Sequence, residues 1–205
     1  PKYKKSEKLI VIHQSINKKK INLNKKKRLI SFVGKLNSAK GYDIFGKTII
    51  KILNKYPDWS ANVIGDEPRE EFNFNHKKLN LLGFKKHKDV LLNFEKTSIA
   101  VVCSRWNEPF GRTSLEASSR GCGVIISNRG GLPETITNGV ILKDLSIKSL
   151  FVEIENLIKN PKKLKKLQTE SLKNFILNDH FISKKIDECR SKNLRSIVNV
   201  NKKND

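Results

Sequence analysis

Residues 104–134 read SRWNEPFGRTSLEASSRGCGVIISNRGGLPE, and this stretch decides the fold. It follows a short apolar run, Ile99 to Cys103, of the length and character of a buried strand. Pro109, Phe110 and Gly111 then make a sharp turn, Gly111 to Arg120 suits a helix, and Gly121 stops it. Val124 to Ser127 is a second apolar run, followed by Gly130-Gly131. Gly121-Cys122-Gly123 precedes this run, which makes it a helix-to-strand turn and not a phosphate loop opening a helix.

Working outward, the same alternation repeats. Leu29 to Val33 is a strand ending in Gly34. After Gly41 the apolar positions Ile44, Phe45, Thr48, Ile49 and Ile52 recur at helical spacing until Pro57. Ala61 to Ile64 and Leu79 to Leu82 are strands ended by Gly65 and Gly83, and Asp89 to Phe94 suits a short helix. Val140 to Leu142 makes a short sixth strand. Helices are expected over Ser146 to Lys159, Pro161 to about Leu177, and Ile182 to about Ile197. Short apolar strands alternating with helices specify an α/β fold, a doubly wound, Rossmann-like parallel sheet. In such sheets the ligand lies beyond the carboxyl ends of the strands, where these Gly-rich segments fall.

The segment 1–27 is dominated by Lys and Asn and interrupted by Leu9-Ile10-Val11-Ile12, so it reads as a linker carrying one short strand. Lys18-Lys19-Lys20 and Lys25-Lys26-Lys27 are solvated charge clusters or, alternatively, an arm gripping nucleic acid. Tyr3 is the single aromatic there, which leaves little for base stacking. Residues 28–178 form the Rossmann-like domain, and 179–205 a terminal helix and tail.

The 205 residues carry 42 Lys and Arg against 20 Asp and Glu, a formal charge of +22. That excess suits anionic partners, although a Lys-, Asn- and Ile-rich composition produces it without selection for binding. With 37% hydrophobic residues a core is affordable, which excludes a wholly disordered chain. Cys103, Cys122 and Cys189 form no CxxC pair, and His13, His76, His87 and His180 no ligand set, which argues against structural zinc and for a reducing compartment. No apolar run is long enough to span a bilayer. GxGxxG and GxxxxGK[ST] loops are absent, as is any Asp-x-Asp pair, so a bound diphosphate would be neutralised by protein cations rather than by a metal.

Lys35 and Lys40 flank the turn after the first strand, at the expected ligand edge. They are candidate phosphate partners, or simply solvated lysines in a lysine-rich chain. Glu108 closes the fourth strand and Glu116 stands eight positions on, inside the following helix. The backbone N–H groups of Arg112 and Thr113 would face the crevice at a helix start, where anions are favoured. The plainer alternative makes Glu108 a helix-start charge and Glu116 a surface residue.

Four segments, in this order and spacing, carry a resemblance: VGKLNSAKG (33–41), LLGFKKHKDV (81–90), EPFGRTSLEA (108–117) and NRGGLPE (128–134). From about Lys8 to its end the chain resembles the donor-binding half of glycosyltransferase family 4, retaining enzymes of the GT-B fold. The resemblance implies that Gly34, Lys35 and Lys40 hold the donor diphosphate, Lys35 at a position that is often Arg. It implies that Gly83, Phe84 and Lys85 hold the base largely through backbone groups. Glu108 would contact the transferred sugar, Glu116 would accept from the ribose hydroxyls, and Gly111, Arg112 and Thr113 would lie beside the phosphates. Gly130, Gly131 and Glu134 match the glycine turn after the fifth strand.

Two departures stand out. Gly123 replaces a frequent Pro, and nothing here corresponds to the N-terminal acceptor-binding domain of a family member. Lys8 to Ile16 resembles the connector between domains, and the helix from Ile182 the one that returns toward that missing domain. The resemblance thus implies sugar transfer from a UDP- or GDP-linked donor with retention of configuration and without metal or other cofactor. Expected partners are the nucleotide-sugar, the acceptor domain and an anionic membrane surface, with no specific nucleic acid. The setting would be cell-surface polysaccharide, lipopolysaccharide or glycolipid synthesis, in the cytoplasm or at the inner face of the membrane. The alternative from another class is a non-enzymatic basic module for nucleic acid or anionic membrane. Against it stand 7% aromatic residues and no recognisable nucleic-acid motif.

Overall fold

A computed structural model describes residues 10–201. They divide into two compact units: Lys19–Phe175, and a smaller one drawn from both chain ends, up to Lys18 and from Ile176 onward. The larger unit holds a six-stranded, wholly parallel sheet: β1 Lys27–Val33, β2 Ser60–Ile64, β3 Leu79–Leu81, β4 Thr97–Val102, β5 Gly123–Ser127 and β6 Val140–Leu142, in the order β3-β2-β1-β4-β5-β6. Helices α1 Tyr42–Lys55, α2 His87–Lys96, α3 Arg112–Ser119, α4 Ile147–Lys159 and α5 Pro161–Lys173 cover it, and α6 Asp179–Asn201 belongs to the smaller unit. The expected doubly wound α/β fold is what the chain adopts.

The central strands β1, β4 and β5 are largely apolar on both faces because both faces are covered. Ile30, Phe32, Ile99, Val101 and Ile125 point toward α1 and α4, into a core shared with Phe45, Ile49, Leu150 and Ile154. Ala100, Val124 and Ile126 point the other way, against Val90, Phe94 and Ala117 of α2 and α3. Ser31 interrupts the run in β1, and its hydroxyl is satisfied by Thr97 at 2.7 Å and by the Asn93 amide at 3.0 Å. Beneath α2 and α3 the buried Lys26 ammonium donates to the carbonyls of Phe94 (2.8 Å) and Arg120 (2.7 Å), closing the last turns of both helices. Burial pulls its pKa below the ordinary lysine value.

Several boundaries differ from the sequence reading. Residues 10–12 are not a strand, and Leu9 lies outside the described residues; a four-residue apolar run needs a ladder partner, and Val11 instead meets Lys185 through its carbonyl at 3.2 Å. Helix α5 stops at Lys173 rather than near Leu177, and Asn178 starts α6 by accepting from the Phe181 N–H at 3.1 Å. Helix α2 begins two residues early, at His87. Residues 65–78, between β2 and β3, contain no helix; Phe72 and Phe74 of this loop pack on Tyr42, with ring centroids 5.9 and 5.5 Å away. Among the described residues no helix is long and apolar enough to cross a membrane.

The order of strands reverses between β1 and β4, and there the start of α1 runs against the end of β4. Gly41 makes this possible: its φ is 73°, and a Cβ on it would collide with the Cys103 carbonyl. Gly83 also has positive φ, 64°, but has open space around it. Gly41→Ala should therefore destabilise by about 3 kcal/mol or more, through strain plus a backbone clash. Gly83→Ala should cost only about 1–2 kcal/mol of left-handed strain. Urea unfolding of the two variants reads the difference, and equal losses would refute the close approach.

Candidate active site

The crevice lies along the carboxyl edge of the sheet, where the loops after β1 and β4 are tied together. The Ala39 carbonyl accepts from the N–H groups of Arg105 (2.9 Å) and Trp106 (3.1 Å) and from the Ser104 hydroxyl (3.1 Å). Arg105 also grips Asp43 in α1 through two parallel bonds of 2.6 and 2.7 Å. That guanidinium holds the Asp43 carboxyl below the usual carboxylate range. Within the β1 loop, Asn37 shapes the turn: its side-chain oxygen accepts from the Lys40 N–H (3.0 Å) and its carbonyl from the Tyr42 N–H (3.1 Å). So held, Lys40 reaches across and its ammonium pairs with the Glu108 carboxylate. Gly34 starts this loop, donating to the Ile64 carbonyl at 3.0 Å. Lys35 beside it is exposed and has no ion-pair partner among the described residues.

Glu108 is fixed from behind by the glycine turn. The Gly131 N–H donates to the Glu108 carbonyl at 2.7 Å, a Cβ on Gly130 would strike the Glu108 backbone, and one on Gly131 would lie 2.6 Å from the Pro109 carbonyl. Gly130-Gly131 thus works as a close-approach surface beneath the EPFG segment, while Glu134 in the following turn is exposed. Gly111 opens α3 with no side-chain cap, and α3 has no acidic residue in its first turn. Among the described residues nothing accepts from the N–H groups of Arg112 or Thr113. The start of α1 is different, with Asn37 on the Tyr42 N–H and Asp43 in its first turn. Of the two helix starts, α3 is the one left open to an anion.

Glu116 is nearly enclosed, its side chain 8% exposed. Its Oε1 receives the His87 ring nitrogen Nε2 at 3.0 Å, with the Arg112 guanidinium alongside at 3.4 Å. Gly83, Phe84 and Lys85 form an exposed loop just before His87, with Phe84 74% exposed and the Gly83 carbonyl accepting from the Gly65 N–H at 3.0 Å. The structure therefore brings together Lys40 with Glu108, Glu108 with Gly130 and Gly131, and Arg112 with Glu116. It records no direct bond from Lys35, or from the Gly83–Lys85 loop, to either glutamate.

Cys103 ends beside this crevice, but burial pushes its thiol up to about 12, so it is no nucleophile. Among the described residues no group of three or more His, Cys, Asp and Glu side chains is placed to hold a metal ion. Sequence reasoning missed Asn37, Arg105, Asp43 and His87, and also Glu70, whose carboxylate accepts from the Ser38 N–H (2.8 Å) and hydroxyl (3.2 Å). Asn at the head of a turn was a readable signal. The others become visible only once the strand order joins their loops.

A family profile described as glycosyl transferases group 1 matches residues 13–174. Spore coat protein SA of Bacillus subtilis (strain 168) is 32% identical over 158 residues, covering 69% of this chain and 42% of its own length. The crystal structure of the C-terminal domain of a glycosyl transferase group 1 family protein (LpcC) from Francisella tularensis is 28% identical, with a TM-score of 0.64 over 71% of this chain and 82% of that one. Anabaena Alr3699/HepE in complex with UDP-glucose has a TM-score of 0.69 at 20% identity, over 81% of this chain and 49% of that one. The fold is thus the Rossmann-like C-terminal half of a GT-B architecture. The chain spans 28–42% of the length of the curated relatives it matches.

Two outcomes follow from this geometry. In the empty protein, Lys40→Met and Glu108→Gln should each destabilise, and the double variant should cost less than their sum, with a coupling of about 1–2 kcal/mol in a urea cycle. The Asp43–Arg105 pair should act on acid stability. A carboxyl depressed in the folded state contributes fully above its unfolded value, and the contribution fades as pH falls through the lower folded value. Arg105→Ala should raise the Asp43 titration seen by NMR and start acid unfolding at a higher pH.

Proposed function

The chain belongs to the group 1 glycosyl transferases, and on that premise we propose that it is the donor-binding half of a family 4, retaining sugar transferase. The observation that carries this reading is the Lys40–Glu108 pair standing next to the open start of α3. A donor diphosphate supplies an anion for both: Lys40 turns to it as a counter-charge, and the N–H groups of Arg112 and Thr113 donate to its oxygens. Lys35, exposed at the rim, adds a second cation, and Gly34 lets the backbone approach. Freed from Lys40, the Glu108 carboxylate accepts from hydroxyls of the transferred sugar. The Gly83–Phe84–Lys85 loop takes the base, Glu116 takes the ribose hydroxyls, and Gly130, Gly131 and Glu134 support the sugar end.

In the reaction the bond from the anomeric carbon to the diphosphate oxygen breaks, and negative charge grows on the leaving nucleoside diphosphate. Fixed cations and helix N–H groups aimed at that charge stabilise it more as it develops, which is the catalytic contribution of this half. Glu108 acts by hydrogen bonding and is not assigned as a covalent nucleophile. The acceptor is assigned to the other half of a GT-B architecture and to no residue of this one. The acceptor class is a surface polysaccharide, lipopolysaccharide or glycolipid, and the +22 charge supports a cytoplasmic enzyme resting on an anionic membrane face.

A thermal-shift series with UDP, GDP, ADP and their sugars identifies the donor, because a ligand bound to the folded state raises its stability. Binding should survive EDTA. Lys40→Ala should weaken nucleotide affinity by about one to two decades, the range of one charged hydrogen bond. Glu108→Ala should spare the plain diphosphate and penalise the sugar-bearing donor, and the 205-residue chain alone should transfer no sugar. Loss of binding in EDTA, or wild-type nucleotide affinity in Lys40→Ala together with wild-type affinity for the sugar-bearing donor in Glu108→Ala, would favour the basic-module alternative.

A further inference from the structure

His87 has no place in the roles assigned so far, yet it makes the shortest contact to Glu116, 3.0 Å from Nε2 to Oε1. A carboxylate only accepts, so the ring nitrogen facing it carries the proton. The two side chains come from different helices, His87 from the first position of α2 and Glu116 from the middle of α3. Arg112 approaches the same oxygen at 3.4 and 3.5 Å, near the limit of a hydrogen bond. Both donors therefore converge on Oε1.

The other oxygen is in a different situation. Oε2 of Glu116 receives no hydrogen bond among the described residues. The carboxylate is held by one edge and presents the other. The His87 ring is itself half exposed, and His87 follows the Gly83–Lys85 loop by two positions in the chain.

We propose that His87 is a positioning residue of the ribose subsite. Through Oε1 it fixes the rotation of the Glu116 carboxylate, so that Oε2 faces the vicinal hydroxyls of a nucleoside diphosphate, and in doing so it sets the preference for ribose over deoxyribose. This rests on the donor-binding reading above, and it adds a residue that acts only through Glu116. Without the imidazole, the carboxylate rotates toward Arg112 and its preorganised acceptor is lost.

The experiment is calorimetric titration of wild type, His87→Ala, His87→Gln and Glu116→Ala with UDP, GDP and ADP and with their 2′,3′-dideoxy counterparts. For the ribonucleotide that binds, His87→Ala should lose about three- to tenfold in affinity, the scale of one oriented hydrogen bond. The dideoxy compound should change by less than twofold, so the ribo-to-dideoxy ratio falls. His87→Gln, which keeps an N–H donor, should restore most of that ratio. The ratio is unaffected by any loss of folded protein, which a merely structural role would cause. Equal loss for both sugars, no loss for either, or no rescue by Gln would overturn the proposal. If Glu116→Ala weakens the ribonucleotide while His87→Ala does not, the donor reading stands and His87 falls alone. If none of UDP, GDP and ADP binds wild type, the donor reading itself fails.

Discussion

The close approach of the β1 loop to the end of β4 is the constraint from which the site follows. One carbonyl, that of Ala39, collects three donors from the β4 loop, and Gly41 passes the Cys103 carbonyl where no side chain would fit. Each strand in this sheet is separately specified by its apolar residues, but their loops need this seam to share one crevice. Because Lys40 lies between Ala39 and Gly41, the contact that joins the loops also delivers its ammonium to Glu108. The EPFG segment is then clamped from the far side by Gly130-Gly131. The Gly130-Gly131 contact with Glu108 is backbone to backbone, so the course of its main chain depends little on the rotamers of flexible side chains.

Electrostatically the empty crevice is a set of matched pairs inside a strongly positive chain. Asp43 has Arg105, Glu108 has Lys40, and Glu116 has His87 and Arg112. A buried or half-buried carboxylate without such a partner would be expensive. On the proposed reading an arriving anion enters by exchange, taking a cation from a carboxylate that is then free to bind something neutral. A site made of lysines alone would attract polyanions of every kind. Paired charges demand a ligand with an anionic part and a hydroxylated part at the right separation.

The fold was legible in the sequence because turn chemistry and apolar runs agree everywhere between Arg28 and Lys159. The strand ends at Gly34, Gly65 and Gly83 and the sharp Pro109-Phe110-Gly111 turn needed no tertiary information. Residues 9–12 look as apolar as β1, yet those described are not a strand, since a run of that length has no structure without a partner. The break between the last two helices, expected after about Leu177, comes four residues earlier, and Asn178 caps the start of α6. At the site, the glutamates and glycines stood out by spacing, whereas Lys35 and Lys40 were indistinguishable among the many lysines. Only the structure separates them, pairing one with Glu108 and leaving the other in solvent. His87 carried no local signal at all, because its partner lies 29 residues away and meets it through the strand order.

The clasp formed by Lys26 bears on the order in which a growing chain can mature. Its acceptors belong to Phe94 and Arg120, 68 and 94 residues further along. At a synthesis rate of about 5–20 residues per second, roughly 5–19 s pass between the emergence of Lys26 and that of Arg120. Before α2 and β4 are made, the side of β1 that β4 will occupy has no partner strand, and the Lys26 ammonium has neither of its carbonyls. Such an intermediate is a natural client for a chaperone that shields strand edges. β4 covers the bare edge of β1 first, and the end of α3 then supplies the second carbonyl to Lys26, so the clasp can close fully only after the sheet's central strand pair is able to form.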